Sequence, residues 1–295
     1  MADFYQRPKT VRSADWNYGG PKWKLSRSKL DLFKECQRCF YLDNKLGVSR
    51  PKGPSFTLNI AVDALLKKEF DAHRAKGSAH PLMAKYKVDA VPFSHKSLDG
   101  WRDNFTGIQY VHPATGLTIS GAIDDVWVNK KGELIIVDYK ATSKDGKIES
   151  LADSGWDSQY KRQMEVYQWL FRQKGFTVSD TGYFVYVNGR KDKEAFDAKL
   201  EFDVTLIAHK GDDSWVEGAI IAAKECLDGK ELPKPDPLCE FCGYRKLAIE
   251  IQAPFMKKAP TAQSTHKEAV PQAKLSKKAK KDTISEHDNQ TNSLF

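Results

Sequence analysis

Two aspartates and a lysine on neighbouring stretches of the chain could bind a metal ion and activate a water molecule. Asp138 and Lys140 directly follow the apolar run 134–137, and Asp124 lies in an alternating stretch before the polar turn at 129–132. If the two stretches pair as a hairpin about that turn, residues whose numbers sum to about 261 or 262 face each other. Asp124 and Asp138 sum to 262, so we expect them opposite each other. Such a pair predicts a divalent-cation site, Mg²⁺ by default, beside an ammonium that can orient or deprotonate a bound water.

The hairpin residues also admit a simpler interpretation, in which the two aspartates form a solvated face with Lys140 as their ion partner. A shift of register by one residue would also bring Asp125 into place instead of Asp124. We favour Asp124, since Ile123 and Val126 then lie with the apolar face. The pattern Asp-x-Lys alone is uninformative, because it occurs five times, starting at Asp43, Asp138, Asp145, Asp197 and Asp228. Only the copy at 138 directly follows a hydrophobic strand.

Four of the five cysteines form two pairs at ligand spacing, Cys36-x-x-Cys39 and Cys239-x-x-Cys242. Four thiolates complete a tetrahedral Zn²⁺ site or hold an iron–sulfur cluster. The alternative is that Cys36 and Cys39 are small buried side chains of a helix. We expect the fifth cysteine, Cys226, in the core. An odd number of cysteines without a secretion signal favours a metal site in a reducing, cytoplasmic environment over a disulfide framework.

Apolar periodicity predicts the elements that position these residues. Helical spacing predicts helices over 29–45 (capped by Ser28), 57–76, 157–173 and 213–228. Alternation predicts strands over 105–111, 117–128, 133–140, 183–187 and 200–206. Gln163 and Tyr167 are four residues apart and therefore share one face of the third helix, which could be an ordinary amphipathic surface. We expect an α/β (α+β) domain organised around the central hairpin.

The charge distribution separates a body from two ends. The 295 residues carry a net charge of +8, of which the first 25 contribute +3 and the last 40 contribute +4. We therefore expect an N-terminal arm at 1–25, a nearly neutral domain at 26–255 and a disordered Lys-rich tail at 256–295. No apolar run approaches the roughly 18 residues that a membrane span requires, so we expect no membrane partner.

Three segments together resemble the PD-(D/E)XK nucleases: Gly121–Asp124, Val137–Lys140 and Gln163-x-x-x-Tyr167. Within them the RecB-like branch, which includes the CRISPR-associated RecB-like exonucleases, is the most similar, because Ser28–Leu42 resembles its opening helix. The resemblance spans roughly residues 25–250. It implies a restriction-endonuclease-like core with a central mixed sheet flanked by helices.

The resemblance also implies roles for individual residues. Asp124 and Asp138 would be metal ligands, the Tyr139 carbonyl a backbone ligand, and Lys140 the catalytic lysine. Gln163 and Tyr167 would contact the DNA backbone or support that lysine. Where the family often has Gly-x-x-x-His with a metal-ligating histidine, this chain has Asn59-x-x-x-Asp63, so Asp63 is a further candidate ligand.

The cysteines depart from the pattern of the RecB-like branch, which commonly holds a [4Fe–4S] cluster with one early and three late cysteines. Cys36, Cys239 and Cys242 match it, but no third late cysteine follows. Cys39 could supply the missing ligand. The analogy favours the cluster as cofactor, with Zn²⁺ as the alternative.

These observations predict a deoxyribonuclease that uses Mg²⁺ or Mn²⁺ to hydrolyse phosphodiester bonds of single- or double-stranded DNA. We expect it to be exonuclease-like, in DNA repair, recombination or defence. The alternative function is a non-catalytic nucleic-acid-binding module with a structural metal or cluster. RNA as the substrate also stays open.

Overall fold

The apolar hairpin lies at the centre of the fold. The computed structural model describes residues 12–51, 53 and 56–256. In chain order the strands are β1 (Leu25–Ser26), β2 (Ala90–Pro92), β3 (Ile108–Val111), β4 (Thr118–Gly121), β5 (Asp125–Asn129), β6 (Leu134–Thr142), β7 (Thr181–Gly189) and β8 (Phe202–Lys210). Five of them form one sheet in the order β2-β5-β6-β7-β8, and three form a second in the order β1-β4-β3.

Strand β6 occupies the middle of the five-stranded sheet. It pairs antiparallel with β5 and parallel with β7, so the sheet is mixed. A strand in this position is covered on both faces, which explains the unbroken apolar run at 134–137. The β5–β6 register joins residues whose numbers sum to 262, as the hairpin argument predicted.

The helices are α1 (Arg27–Glu35), α2 (Gln37–Asn44), α3 (Thr57–Lys76), α4 (Pro81–Lys85), α5 (Leu98–Arg102), α6 (Gly155–Gln173), α7 (Ser214–Asp228) and α8 (Glu240–Gln252). Short 3₁₀ turns cover Ala14–Trp16 and Ala253–Phe255. Helix α3 matches its predicted range and ends at Gly77, whose φ of 60° is the left-handed conformation that glycine adopts without strain. No helix of the described residues is long and apolar enough to cross a bilayer.

Two predicted elements are each divided in the structure. The predicted helix 29–45 is wrong as a single element, because Cys36 has an extended backbone (φ −162°, ψ 107°) that separates α1 from α2. The N-cap of α1 is Ser26, whose side chain accepts a hydrogen bond from the Lys29 amide, and not the predicted Ser28. The predicted strand 117–128 is also two strands, since the chain leaves the small sheet after Gly121 and enters the central sheet at Asp125. Periodicity continues across both breaks, so the sequence pattern did not reveal them.

The central sheet has an apolar core on each face. Strand alternation sends Ile136 into the core that includes Met164 and Leu170 of α6, and sends Val137 into the core that includes Phe70 of α3. Asp138 and Lys140 lie two and four residues after Ile136, so they are on the same face of β6 and face α6. The predicted mixed core, a central mixed sheet flanked by helices, is confirmed.

The described residues divide into two compact units, one up to Tyr244 and one from Arg245. Residues 12–25 of the predicted N-terminal arm belong to the first unit, and the Arg12 guanidinium donates to the Asp43 carbonyl at 2.6 Å. The rest of the arm, residues 1–11, lies outside the described residues. So does the predicted tail beyond Met256.

Candidate active site and four-cysteine site

Asp138 is buried at the point where β6 extends beyond β5. Its side chain is 0% exposed. Oδ1 accepts a hydrogen bond from Gln163 Nε2 at 2.8 Å, and Oδ2 forms an ion pair with the Lys140 ammonium but no hydrogen bond of normal geometry. Burial raises the pKa of Asp138 to about 7; Lys140 lowers it and the charge of Asp124 raises it. The site therefore holds a buried carboxylate that is paired with Lys140 but is harder to ionise than a carboxylate in water.

Asp124 lies in the segment where the chain changes sheets, next to Asp138. Because β5 begins at Asp125, the Tyr139 amide has no strand partner on that side, and it donates instead to Asp124 Oδ2 at 2.8 Å. The other oxygen, Oδ1, is 3.5 Å from the Lys67 ammonium. Asp124 is 24% exposed, so this carboxylate is accessible where Asp138 is not.

The neighbouring Asp125 points to the opposite face of the sheet. It is fully buried and forms ion pairs with Arg74 and Arg102. The Tyr139 hydroxyl also donates to it, at 2.9 Å, so the Tyr139 side chain points away from Asp138 as predicted by alternation. Asp125 thus serves as a neutralised core group. The alternative register, in which Asp125 would face Asp138, is not the one observed.

Lys140 lies beside Asp138 on the same face of β6. Its ammonium donates to Gln163 Oε1 at 3.3 Å and is 4.6 Å from the centre of the Tyr160 ring. Burial lowers the pKa of Lys140, but the carboxylates of Asp138 and Asp124 raise it more, and the net shift is upward. In the metal-free site Lys140 is consequently a cation.

Helix α6 supplies the groups that orient Lys140 and Asp138. The Gln163 amide binds both, with its oxygen toward the ammonium and its nitrogen toward the carboxylate. The same nitrogen lies 3.2 Å from the Tyr167 hydroxyl. Gly121 permits this approach, since a Cβ there would lie 2.5 Å from Tyr167 Cε1. The predicted pair on α6 is therefore part of the buried site rather than of a solvated helix surface.

Asp63 lies close to Asp124 but is joined to it by a lysine. Lys67 Nζ is 2.8 Å from Asp63 Oδ2, and burial together with the Asp124 charge raises the pKa of Asp63. Asp63, Asp124 and Asp138 do not form a compact trio of ligand atoms: among the described residues, only the four cysteines bring three or more candidate metal ligands within 4.8 Å of one another. Asn59 instead anchors α3 to the end of β6 by donating to the Ala141 carbonyl at 2.9 Å.

The acid pair fits a hard divalent cation. Asp138 has a buried oxygen without a hydrogen bond, and the adjacent Asp124 adds a second negative charge and an accessible oxygen. Carboxylate oxygens are the ligands that Mg²⁺ and Mn²⁺ prefer. A cation bound between them would replace mutual repulsion with attraction.

Sequence reasoning missed three basic residues at the site. Lys67 bridges Asp63 and Asp124, Arg27 lies beside Tyr167, and Arg102 Nε donates to the Asp124 carbonyl at 2.9 Å. Of these, only Lys67 could have been predicted from the sequence, because it lies four residues after Asp63 on a helix. Arg27 and Arg102 reach the site from distant elements.

The four cysteines predicted to form one site come together. Sγ–Sγ distances are 3.6 Å for Cys39–Cys239, 3.6 Å for Cys39–Cys242 and 3.8 Å for Cys36–Cys242. Four sulfurs about 2.3 Å from a tetrahedral ion lie about 3.8 Å apart, so the arrangement fits a metal ion. Cys226 is half-buried in α7, where it packs against the larger core, and takes no part.

Charged and backbone donors surround these sulfurs. Arg50 Nη2 lies 3.6 Å from Cys239 Sγ, and its guanidinium stacks 4.5 Å from the centre of the Phe241 ring. Burial raises the pKa of the Cys36 thiol, but hydrogen bonds from the backbone of Asp236 and Cys39 lower it more, to about 7. These donors stabilise the thiolate of Cys36, the form that binds metals, whereas burial raises the pKa of the Cys39 and Cys242 thiols.

Comparison with known proteins assigns the family. The sequence profile of the PD-(D/E)XK nuclease superfamily matches residues 55–247, about two thirds of the chain. One solved structure similar to this chain is described as "Crystal structure of SSO0001"; it shares 14% identity, over 72% of this chain and 77% of that chain, with a TM-score of 0.31. No curated protein sequence matches. On the profile match, the chain belongs to the PD-(D/E)XK nuclease superfamily.

Proposed function

We propose that this protein is a metal-dependent deoxyribonuclease whose active site is formed by Asp124, Asp138 and Lys140. The single observation that carries the proposal is the buried Asp138 carboxylate, which is paired with the Lys140 ammonium on the same face of β6 and lies beside a second acid. The neighbouring Asp125 differs, because it is a structural carboxylate paired with two arginines. The superfamily consists of nucleases, which agrees with this chemistry.

Asp124, Asp138 and the Tyr139 carbonyl would hold Mg²⁺ or Mn²⁺. When bound, such an ion would stabilise charge on the scissile phosphate and lower the pKa of the attacking water. Asp63 would contribute once the Lys67 ammonium leaves its position between Asp63 and Asp124.

The surrounding residues of the chain would position the substrate. Lys140 is held by Gln163 and Asp138, so its ammonium is fixed where it can orient the attacking water. Tyr167 and Arg27 extend the polar network beyond Gln163 and would contact the phosphate backbone or support Lys140. The products would carry 5′-phosphate and 3′-hydroxyl ends.

We infer DNA as the substrate, with an exonuclease-like action typical of the RecB-like branch. Support comes from the order of the motifs and from the opening segment at 28–42, which resembles that branch. A second lysine also lies near the site. Tyr160 is close both to Lys140 and to Lys144, whose side chain is half-exposed. Lysines in such positions attract a phosphate backbone.

The test is hydrolysis of end-labelled single- and double-stranded DNA, with RNA as a second substrate, in Mg²⁺ or Mn²⁺. Asp138→Asn should abolish cleavage, and Lys140→Met should lower its rate about 10²–10⁴-fold. Asp145→Asn and Lys147→Met are matched controls, because they belong to a second Asp-x-Lys tripeptide on an exposed loop. Unchanged cleavage in the first two variants would refute the assignment. Salt-dependent binding without cleavage would instead indicate the non-catalytic nucleic-acid-binding module.

For the four cysteines we propose a single tetrahedral Zn²⁺. The support is that three Sγ–Sγ distances are 3.6–3.8 Å and that all four sulfurs lie within 4.8 Å of one another, whereas a [4Fe–4S] cluster holds its thiolates apart by the width of the cluster body. Free thiolates of this kind are typical of a reducing compartment such as the cytoplasm. Metal analysis and an absorbance spectrum of anaerobically purified protein decide between the two: a colourless zinc protein supports the proposal, and a brown iron protein refutes it.

A further inference from the structure

A row of side chains connects the four-cysteine site to helix α6. Arg50 Nη2 lies 3.6 Å from Cys239 Sγ, and Arg50 Nη1 donates to Glu35 Oε2 at 2.6 Å. The other oxygen of Glu35 accepts from Gln159 Nε2 on α6, also at 2.6 Å. We call this row, Arg50–Glu35–Gln159, the relay.

The relay reaches the helix one turn from the candidate active site. Gln159 is four residues before Gln163, so the two side chains project from the same face of α6. Gln163 binds both Asp138 and Lys140. A change in the position or order of the first turns of α6 would therefore alter how these two catalytic groups are held.

Arg50 is well suited to sense whether the four-cysteine site is occupied. Its guanidinium is held against Phe241, and its Nε is buried without a hydrogen-bond partner among the described residues. A guanidinium is planar and always charged, so its two ends cannot move independently. A metal ion fixes the four sulfurs as thiolates, which gives Arg50 a fixed anionic partner on one side while Glu35 pairs with the other.

Glu35 lies at the joint of this arrangement. It is the last residue of α1 and directly precedes Cys36, whose extended backbone turns the chain toward the sulfurs. Glu35 and Arg50 side chains are about three-quarters buried, where an ion pair is less screened than on a surface. Glu35 is therefore connected to the four-cysteine site in two ways, through the peptide bond to Cys36 and through the hydrogen bond from Arg50.

We propose that Arg50 and Glu35 are positioning residues that couple metal loading of the four-cysteine site to the order of the catalytic helix α6. The coupling rests on the proposed metal site, and its catalytic consequence rests on the proposed nuclease function. Metal loading immobilises Arg50, Arg50 immobilises Glu35, and Glu35 fixes Gln159 and the first turns of α6.

The test is amide hydrogen exchange of the full chain, in the absence of DNA and Mg²⁺, with and without stoichiometric Zn²⁺ under reducing conditions. In the wild type, Zn²⁺ should slow exchange of residues 159–165 about tenfold, an effect within the range of measured coupling between sites. Strand β8 serves as the reference peptide. In Glu35→Gln the Zn²⁺ effect should fall below about threefold, because the charged link to Arg50 is lost.

Asp31→Asn is the matched control. Asp31 also joins α1 to α6, through Arg162 at 2.6 Å, but it is not part of the relay or of the four-cysteine group. This variant should keep the full Zn²⁺ effect on α6. A wild-type helix that does not respond to Zn²⁺, a Glu35→Gln variant that responds fully, or an Asp31→Asn variant that also loses the response would each overturn the proposal.

A second measurement applies if the metal-free chain unfolds. Exchange of α6 is then measured in the Zn²⁺-loaded variants Glu35→Gln, Arg50→Gln and the double variant. All three should accelerate it by the same factor, because each interrupts the same relay and a second break in it adds nothing. If the acceleration in the double variant equals the product of the two single accelerations, Arg50 and Glu35 act independently and the proposed coupling is refuted. Neither measurement requires cleavage of DNA, so failure of the coupling and failure of the proposed nuclease function are distinguishable. If the protein does cleave DNA, Glu35→Gln should lower kcat with little change in KM.

Discussion

Replacing Asp138 by asparagine should stabilise the metal-free protein at alkaline pH while abolishing its activity. Burial raises the pKa of Asp138 from 3.8 to about 7 in the folded state. A folded-state pKa above the unfolded value means that the folded state binds the proton more tightly. Stability is therefore lost as the pH rises from about 4, and the full cost is reached above about 7. Asparagine cannot ionise, so the variant avoids this cost.

The magnitude follows from the size of the pKa change. A tenfold change in proton affinity is worth about 1.4 kcal/mol, so the rise from 3.8 to about 7 corresponds to at most about 4 kcal/mol. Part of this gain is cancelled, because asparagine leaves the Lys140 ammonium without its carboxylate partner. We expect a net stabilisation of about 1–3 kcal/mol, which is large for a substitution at a buried polar position.

The assay is urea unfolding in buffer without divalent cations, at about pH 8 and about pH 5, where the difference should fall to less than half. Asp145→Asn is the control, since Asp145 begins another Asp-x-Lys tripeptide but its side chain is 91% exposed. Adding Mg²⁺ should stabilise the wild type and leave Asp138→Asn unchanged. A variant no more stable than the wild type at about pH 8 would refute the idea that burial makes ionisation of Asp138 costly in the folded state.

Four further outcomes are expected. Lys140→Met should lower the rate of DNA cleavage about 10²–10⁴-fold, and a change of less than about tenfold in initial rates would exclude a catalytic role. Because a proton competes with the metal at Asp138, Mn²⁺ affinity measured by spin resonance should fall as the pH drops below about 7, and a pH-independent affinity would contradict this. Gly121→Ala should lower the free energy of unfolding by about 1–3 kcal/mol, because the new Cβ meets the Tyr167 ring, whereas a neutral effect would show that the ring moves freely. Cys39→Ser should reduce bound metal to well below one ion per chain, and full retention by elemental analysis would exclude Cys39 as a ligand.

The hairpin and the long helices could be predicted from sequence because their signals are local. The apolar run at 134–137 and the turn at 129–132 determine a register, and that register places Asp124 next to Asp138. The helix over 57–76 has both its apolar spacing and a glycine at its end. The shared helix face of Gln163 and Tyr167 could likewise be predicted from one periodic segment, but their burial against the sheet could not.

Other parts of the site depend on contacts that no local pattern encodes. The extended backbone at Cys36 interrupts a continuous helical period, because the four sulfurs must converge. The break between Gly121 and Asp125 interrupts a continuous alternation in the same way. Arg27 and Arg102 come from separate elements, so their role became visible only in three dimensions.

Adjacent aspartates with opposite surroundings show how the fold separates structure from chemistry. Asp125 is compensated by Arg74 and Arg102 in one core, while Asp124 has only the Lys67 ammonium, at 3.5 Å, and partial exposure to solvent. Asp125 is the first residue of β5 and points into one core, while Asp124 lies in the preceding segment, where the chain passes from one sheet to the other. A register shift of one residue would exchange them, placing the accessible acid among the arginines and the neutralised one beside Asp138. The arginine pair that binds Asp125 therefore also keeps Asp124 free for a cation, and a variant that weakened this pair would be expected to disturb metal binding without touching a ligand.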